Sequence, residues 1–162
     1  MSHTVTVTRT TTSTTSAIIL NTGYVKSAPG LLKLIEVILG GIILFMLFIK
    51  RNELCRCWIF DYNTPYFFFS SIVATFCITS LILLISCLLS ISTGPIISKT
   101  NFEFIYHGTG FVLLLIVAIY LFAEQNEKKI ENLFLSSSII AMIMSALYLL
   151  SAIWGYRSYK GP

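Results

Sequence analysis

Ser27-Ala-Pro-Gly-Leu-Leu-Lys-Leu-Ile-Glu-Val-Ile-Leu-Gly-Gly-Ile-Ile-Leu-Phe-Met-Leu-Phe-Ile-Lys-Arg51 is the stretch that decides how this chain folds. From Leu31 to Ile49 it offers 19 residues, roughly 28 Å of helix against a hydrocarbon core of about 30 Å. Ser27 supplies a capping oxygen, Pro29 suits the first turn, and Lys50-Arg51 ends the run. Lys33 and Glu36 are the anomaly. Charges inside a span cost roughly 2.5–3.5 kcal/mol each at the bilayer centre, so they pair or face the bundle interior. This span needs a partner.

Composition places that span in its class. Of 162 residues, 56% are hydrophobic and 11% charged, whereas ordinary soluble domains carry about 25% charged residues. So few charges cannot cover a soluble surface; lipid covers part of it. A net charge of +4, spread along the chain, gives no sign of a nucleic-acid partner. The first 30 residues show no basic start, apolar run and small-residue cleavage site, and the ends show no myristoylation or prenylation box.

Three further spans follow. The second runs near Tyr66–Ser92, opened by Pro65 and closed by Gly94 and Pro95, with Phe67, Phe68 and Phe69 at the interface and no formal charge between Asp61 and Lys99. A loop over Thr93–Phe102 leads to the third, near Glu103–Phe122. A compact charged turn, Glu124–Asn132, precedes the fourth, near Leu133–Trp154. The expected fold is all-α: a four-transmembrane-helix bundle over residues 27–155, with short loops. A Thr-rich tail over 1–26 is expected to be disordered, and 156–162 is a short basic tail. His3 among threonines is no metal site, and no metal, cofactor or small-molecule substrate is expected.

Lys33 and Glu36 stand three apart on one helix face. The first and third helices run in the same direction, so their N-terminal ends meet the same membrane surface. Glu103 and His107, four apart, open the third. The four groups therefore lie at similar depth, and a polar cluster of Lys33, Glu36, Glu103 and His107 between the two helices is expected. The favoured role is a charge-compensated clamp that fixes packing, with Lys33 partly snorkelling to the interface. A proton relay or ion site is the alternative, but the second and fourth spans offer only serines, threonines and cysteines. Small residues read as close-packing positions: Gly40 and Gly41 on the first helix, Ser86 and Ser90 on the second, Gly108 and Gly110 on the third, Ser137, Ala141 and Ser145 on the fourth.

Catalysis has little to stand on. H-E-x-x-H, G-x-S-x-G, a P-loop and an intramembrane aspartate pair are all absent from the sequence, and a non-enzyme is expected. Cys77 and Cys87 read as small hydrophobes. For Cys55 and Cys57, palmitoylation and unmodified thiols both stay open. Lysines and arginines divide six to the side of the termini (Arg9, Lys26, Lys33, Lys99, Arg157, Lys160) and five to the other, which leaves orientation open. The five are Lys50, Arg51, Arg56, Lys128 and Lys129.

The chain resembles the MARVEL-domain proteins, most nearly the chemokine-like-factor group with its insect myoblast-fusion members. The residues that carry this are Thr8-Arg9-Thr10-Thr11-Thr12, Asn21-Thr22-Gly23-Tyr24, Ala28-Pro29-Gly30, Leu31 through Gly41, and Phe104-Ile-Tyr-His-Gly-Thr-Gly110. The resemblance implies a multi-pass protein of the plasma membrane or vesicles with both termini cytosolic, leaving Cys55 and Cys57 outside and away from palmitoylation. It implies a role in membrane apposition, vesicle trafficking or myoblast-type fusion, through lateral contacts with lipids and with other membrane proteins or further copies of itself. A claudin's W…C…C loop and a tetraspanin's large second outer loop are both missing. The competing expectation is a small channel or transporter subunit that uses the Lys/Glu/His cluster.

Overall fold

The computed structural model describes residues 21–54, 64–128 and 132–161. Expectations for the tail over 1–20 and for Cys55 and Cys57 lie outside them. Four long helices dominate: α2 (Ala28–Leu54), α3 (Thr64–Leu89), α5 (Phe102–Lys128) and α6 (Asn132–Lys160). Two short ones, α1 (Thr22–Val25) and α4 (Thr93–Ser98), sit at the end of the bundle where α2 and α5 begin and α6 finishes. There is no strand among the described residues. Each long helix is long and apolar enough to cross a membrane, over Ala28–Ile49, Tyr66–Leu89, Phe102–Glu124 and Leu133–Lys160. This is a multi-pass integral membrane protein.

Neighbouring helices are antiparallel. α2 packs on α3 and α6, and α5 packs on the same two, so α2 and α5 face each other across the diagonal. Outward positions are apolar and open, including Phe45, Phe67, Ile82, Ile116 and Leu150. The core is a column of Ile43, Phe69, Val73, Leu114, Ala118 and Leu121 with Met144 and Ala141. In lipid the apolar effect that drives soluble folding is weak, so close packing and internal hydrogen bonds carry most of the association.

Helix boundaries differ from the sequence reading in several places. The first helix does not end at Lys50-Arg51 but continues through that pair to Leu54, since Lys, Arg, Glu and Leu are good helix formers. The second helix stops at Leu89 rather than Ser92, because Pro95 has no N–H and sits in the first turn of a new helix, α4, inside the expected loop. The third continues to Lys128, because Gln125, Glu127 and Lys128 are residue types that favour helix. The fourth runs on to Lys160, with Arg157 and Lys160 in its last turn, where cations offset the helix dipole. Finally, residues 21–26 of the tail are folded. Ser27 caps α2, its Oγ accepting from the Gly30 N–H at 3.3 Å, and also donates to the Tyr24 carbonyl at 2.5 Å.

That last contact turns the chain so that the Asn21 N–H donates to the Leu88 carbonyl at 2.7 Å. Tyr24 then meets the Cys87 thiol, and burial, followed by that hydrogen bond, pushes its phenol well above the ordinary tyrosine range. Two glycines make the room. A Cβ on Gly30 would stand 2.0 Å from the Tyr24 carbonyl oxygen, and one on Gly94 would stand 3.2 Å from the Tyr24 ring. Gly30→Ala is therefore expected to undock α1 and to speed maleimide labelling of Cys87, on a background with the other cysteines changed to serine, by about tenfold. Unchanged labelling would show that α1 does not cover the thiol.

Candidate functional site: a buried polar cluster across the bundle diagonal

All four expected polar residues turn inward at the end of the bundle where α2 and α5 begin. Lys33 is 2% exposed, Glu36 0%, Glu103 7% and His107 1%. From α2, Lys33 Nζ donates to Glu103 Oε1 on α5. Lys33 thus points into the bundle instead of snorkelling, because its counter-charge lies across the diagonal and not at the interface. Glu103 lies in the first turn of α5, where the helix dipole favours a carboxylate. Gly155 makes the approach of α6 to this turn close: a Cβ there would stand 3.2 Å from Glu103 Cβ and from the Phe104 nitrogen.

One turn deeper, His107 Nδ1 stands 2.8 Å from the Glu103 backbone carbonyl. A carbonyl only accepts, so Nδ1 carries a proton and Nε2 is the atom that faces Glu36, 3.5 Å from Oε2. Nε2 makes no hydrogen bond of good geometry. Glu36 is otherwise held by hydroxyls: Ser151 Oγ donates to Oε1 at 2.6 Å and Ser80 Oγ to Oε2 at 3.1 Å. Ser80 lies in turn 2.8 Å from the Tyr148 hydroxyl and 3.0 Å from that of Tyr106. Both tyrosines also reach the Phe76 carbonyl, at 3.1 Å and 2.9 Å. The cluster therefore joins all four long helices.

Ser80, Ser151, Tyr106 and Tyr148 are the members that the sequence reading missed. A signal existed for two of them. Ser145, Tyr148 and Ser151 repeat every three residues and so share a face of α6. Nothing comparable marks Ser80 among the many hydroxyls of α3.

The polar zone ends abruptly. Beyond it the core is apolar from Ile43 and Val73 to Leu121 and Phe69. From His107 to Leu121 is about 20 Å of helix at 1.5 Å per residue. The buried serines in that half are satisfied on their own helix, Ser137 by the Leu133 carbonyl at 2.9 Å and Ser138 by that of Leu135 at 2.7 Å. A crevice between α2, α5 and α6 lined by Pro29, Leu32, Lys33, Glu103, Ser151 and Trp154 reaches the cluster from the side. Among the described residues, no group of three or more His, Cys, Asp or Glu side chains is placed to hold a metal ion.

Of the small residues, Gly40 and Gly110 are at true close approaches: a Cβ would stand 2.8 Å from Cys77 Cβ and 2.4 Å from Tyr148 Cδ1, respectively. Ser137, Ala141 and Ser145 are buried on α6. Gly41 and Gly108 have nothing within 4 Å of the same position. Ser86 donates to the Ile82 carbonyl of its own helix, and Ser90 pairs with Ser92. Gly41 and Gly108 thus face open space rather than a neighbouring helix. Comparison of the chain with protein-family models, with curated proteins and with solved structures gives no match.

Proposed function

We propose that this protein is a non-enzymatic membrane organiser. On this reading it acts by lateral contacts with lipids and with other membrane proteins, or with further copies of itself, in membrane apposition, vesicle trafficking or myoblast-type fusion. The observation that carries it is the confinement of the buried charges to one end of the bundle. Lys33 and Glu103 pair with each other and Glu36 accepts from Ser80 and Ser151, while over about 20 Å beyond them the core is lined by apolar side chains and by serines bonded to their own helix. A transport path needs polar groups throughout the bilayer; here the buried charged ones lie at one end. Among the described residues, the surface left to a partner is largely the lipid-facing one. The resemblance to MARVEL-domain proteins fits this role and adds cytosolic termini and a plasma-membrane or vesicular setting.

Two measurements test the reading. Photo-crosslinkers at outward Phe45 and Ile116 should capture defined membrane proteins, or a second copy, in native membranes. Purified protein in liposomes should pass no protons or ions above the empty-vesicle rate. A flux that His107→Ala abolishes while the helices stay folded would overturn the organiser in favour of a channel or transporter subunit.

A further inference from the structure

The two ends of the bundle differ in charge in a way that lysine and arginine counts alone conceal. In the sequence, the five cations between the first and second spans and between the third and fourth, named above, are matched by five acids, Glu53, Asp61, Glu124, Glu127 and Glu131. Those connecting segments sum to zero charge, so the net charge of +4 comes from the rest of the sequence. At the end where α2 and α5 begin, the acids Glu36 and Glu103 are buried, Glu36 held by Ser80 and Ser151 and Glu103 by Lys33. The other described cations of that end, Lys26, Lys99, Arg157 and Lys160, are exposed.

Position matters as much as count. Lys26 follows α1 and Lys99 follows α4, the two short helices that lie on this end. Arg157 and Lys160 are in the last turn of α6. A span of 28 residues over Leu133–Lys160 makes about 42 Å of helix, longer than the hydrocarbon core, so its end reaches the headgroup layer. Trp154, Tyr156 and Tyr159 are exposed beside these cations, the residue types that sit at headgroup depth. Phe104 braces Tyr156 at 5.4 Å between ring centres, and Lys160 Nζ lies 6.0 Å from the same ring.

We infer that this end is a binding face for anionic phospholipid headgroups, held by Lys26, Lys99, Arg157 and Lys160 around the aromatic collar of α6. The negative surface potential of an anionic leaflet attracts basic residues placed within a Debye length of it. Cytoplasmic leaflets carry such lipids, so a leaflet of that kind is the one this face fits. The assignment extends the lipid half of the organiser reading yet rests on membrane insertion alone; a transport subunit would carry the same face.

The test is lipid selectivity in bilayers. Full-length protein is placed in nanodiscs of phosphatidylcholine containing a minor share of spin-labelled phosphatidylserine or spin-labelled phosphatidylcholine. Immobilised lipid is then read by electron paramagnetic resonance. Phosphatidylserine is expected to be enriched at the protein by on the order of threefold, with the enrichment falling as salt rises. Lys26→Gln/Lys99→Gln/Arg157→Gln/Lys160→Gln should abolish it, and because all four side chains are exposed, helix content should be kept. Lys128→Gln/Lys129→Gln should leave it unchanged. Equal association of both lipids overturns the inference, as does a preference that survives the fourfold variant or that vanishes with the pair at the far end. Binding of a soluble polyglutamate peptide through the same four cations, with no lipid preference, would instead assign the face to an acidic protein segment. Loss of lipid selectivity leaves the crosslinked protein partners untouched, so the two readings fail separately.

Discussion

Lys33→Met is expected to lower the stability of the folded bundle by roughly 3–5 kcal/mol, because it strands Glu103 as a buried carboxylate with no counter-charge. For a chain of this size that is a fall in Tm on the order of 10 °C in detergent. Glu103→Gln should cost less than Lys33→Met, since a neutral amide can still accept from Lys33 while the helix dipole loses its anion. The double variant Lys33→Met/Glu103→Gln removes both charges and should recover most of the loss. A buried ion pair is often no better than a neutral pair of similar volume; what is costly is breaking one. The coupling from this cycle is the quantity that decides. If the two single effects merely add, the contact across the α2–α5 diagonal contributes nothing and the clamp reading fails. If the double variant folds well but no longer captures its partners at Phe45 or Ile116, the pair has a role beyond holding α2 in place.

The span count, the class of fold and the need of the α2 charges for a partner were legible in the chain, whereas the full burial of Lys33 was not. They follow from strong, one-dimensional rules: an apolar run of the right length, and the cost of an unpartnered charge inside it. The parallel course of the first and third spans was enough to bring Lys33 near Glu103 and Glu36 near His107 in depth. It did not tell that the helices lie on a diagonal, because helix order around a bundle depends on side-chain fit that periodicity does not encode. For the same reason the hydroxyl members Ser80, Ser151, Tyr106 and Tyr148 stayed invisible. A serine in a membrane helix is satisfied equally well by its own i−4 carbonyl, as Ser86 is. Only the partner helix separates the two outcomes. The folded segment over 21–26 escaped for a different reason. Its docking depends on the space that Gly30 and Gly94 leave around Tyr24, a three-dimensional fact with only two glycines to announce it.

Glycine at 110 carries the second large expectation, and its neighbour at 108 is the control. Both belong to α5, two residues apart, and both read as small-residue packing sites in sequence. A Cβ at 110 would stand 2.4 Å from Cδ1 and 2.7 Å from Cε1 of Tyr148, and 3.0 Å from Cε1 of Phe76. Tyr148 cannot easily give way: it is 0% exposed and its hydroxyl is held between Ser80 and the Phe76 carbonyl. Gly110→Ala should therefore force α5 and α6 apart or tear the tyrosine from Ser80, at a loss of about 1–3 kcal/mol from overpacking. Gly108→Ala meets open space, so the better helix propensity of alanine should make it neutral or stabilising by up to about 1 kcal/mol. Denaturation in mixed micelles compares the two directly. Adding Tyr148→Leu to Gly110→Ala should recover part of the loss by clearing the clash, whereas adding it to Gly108→Ala should only destabilise. Equal behaviour of the two alanine variants would show that α5 and α6 do not meet at this register. The hydroxyl bridge from Tyr148 through Ser80 to Glu36 would then fall with it, since one side-chain position fixes both.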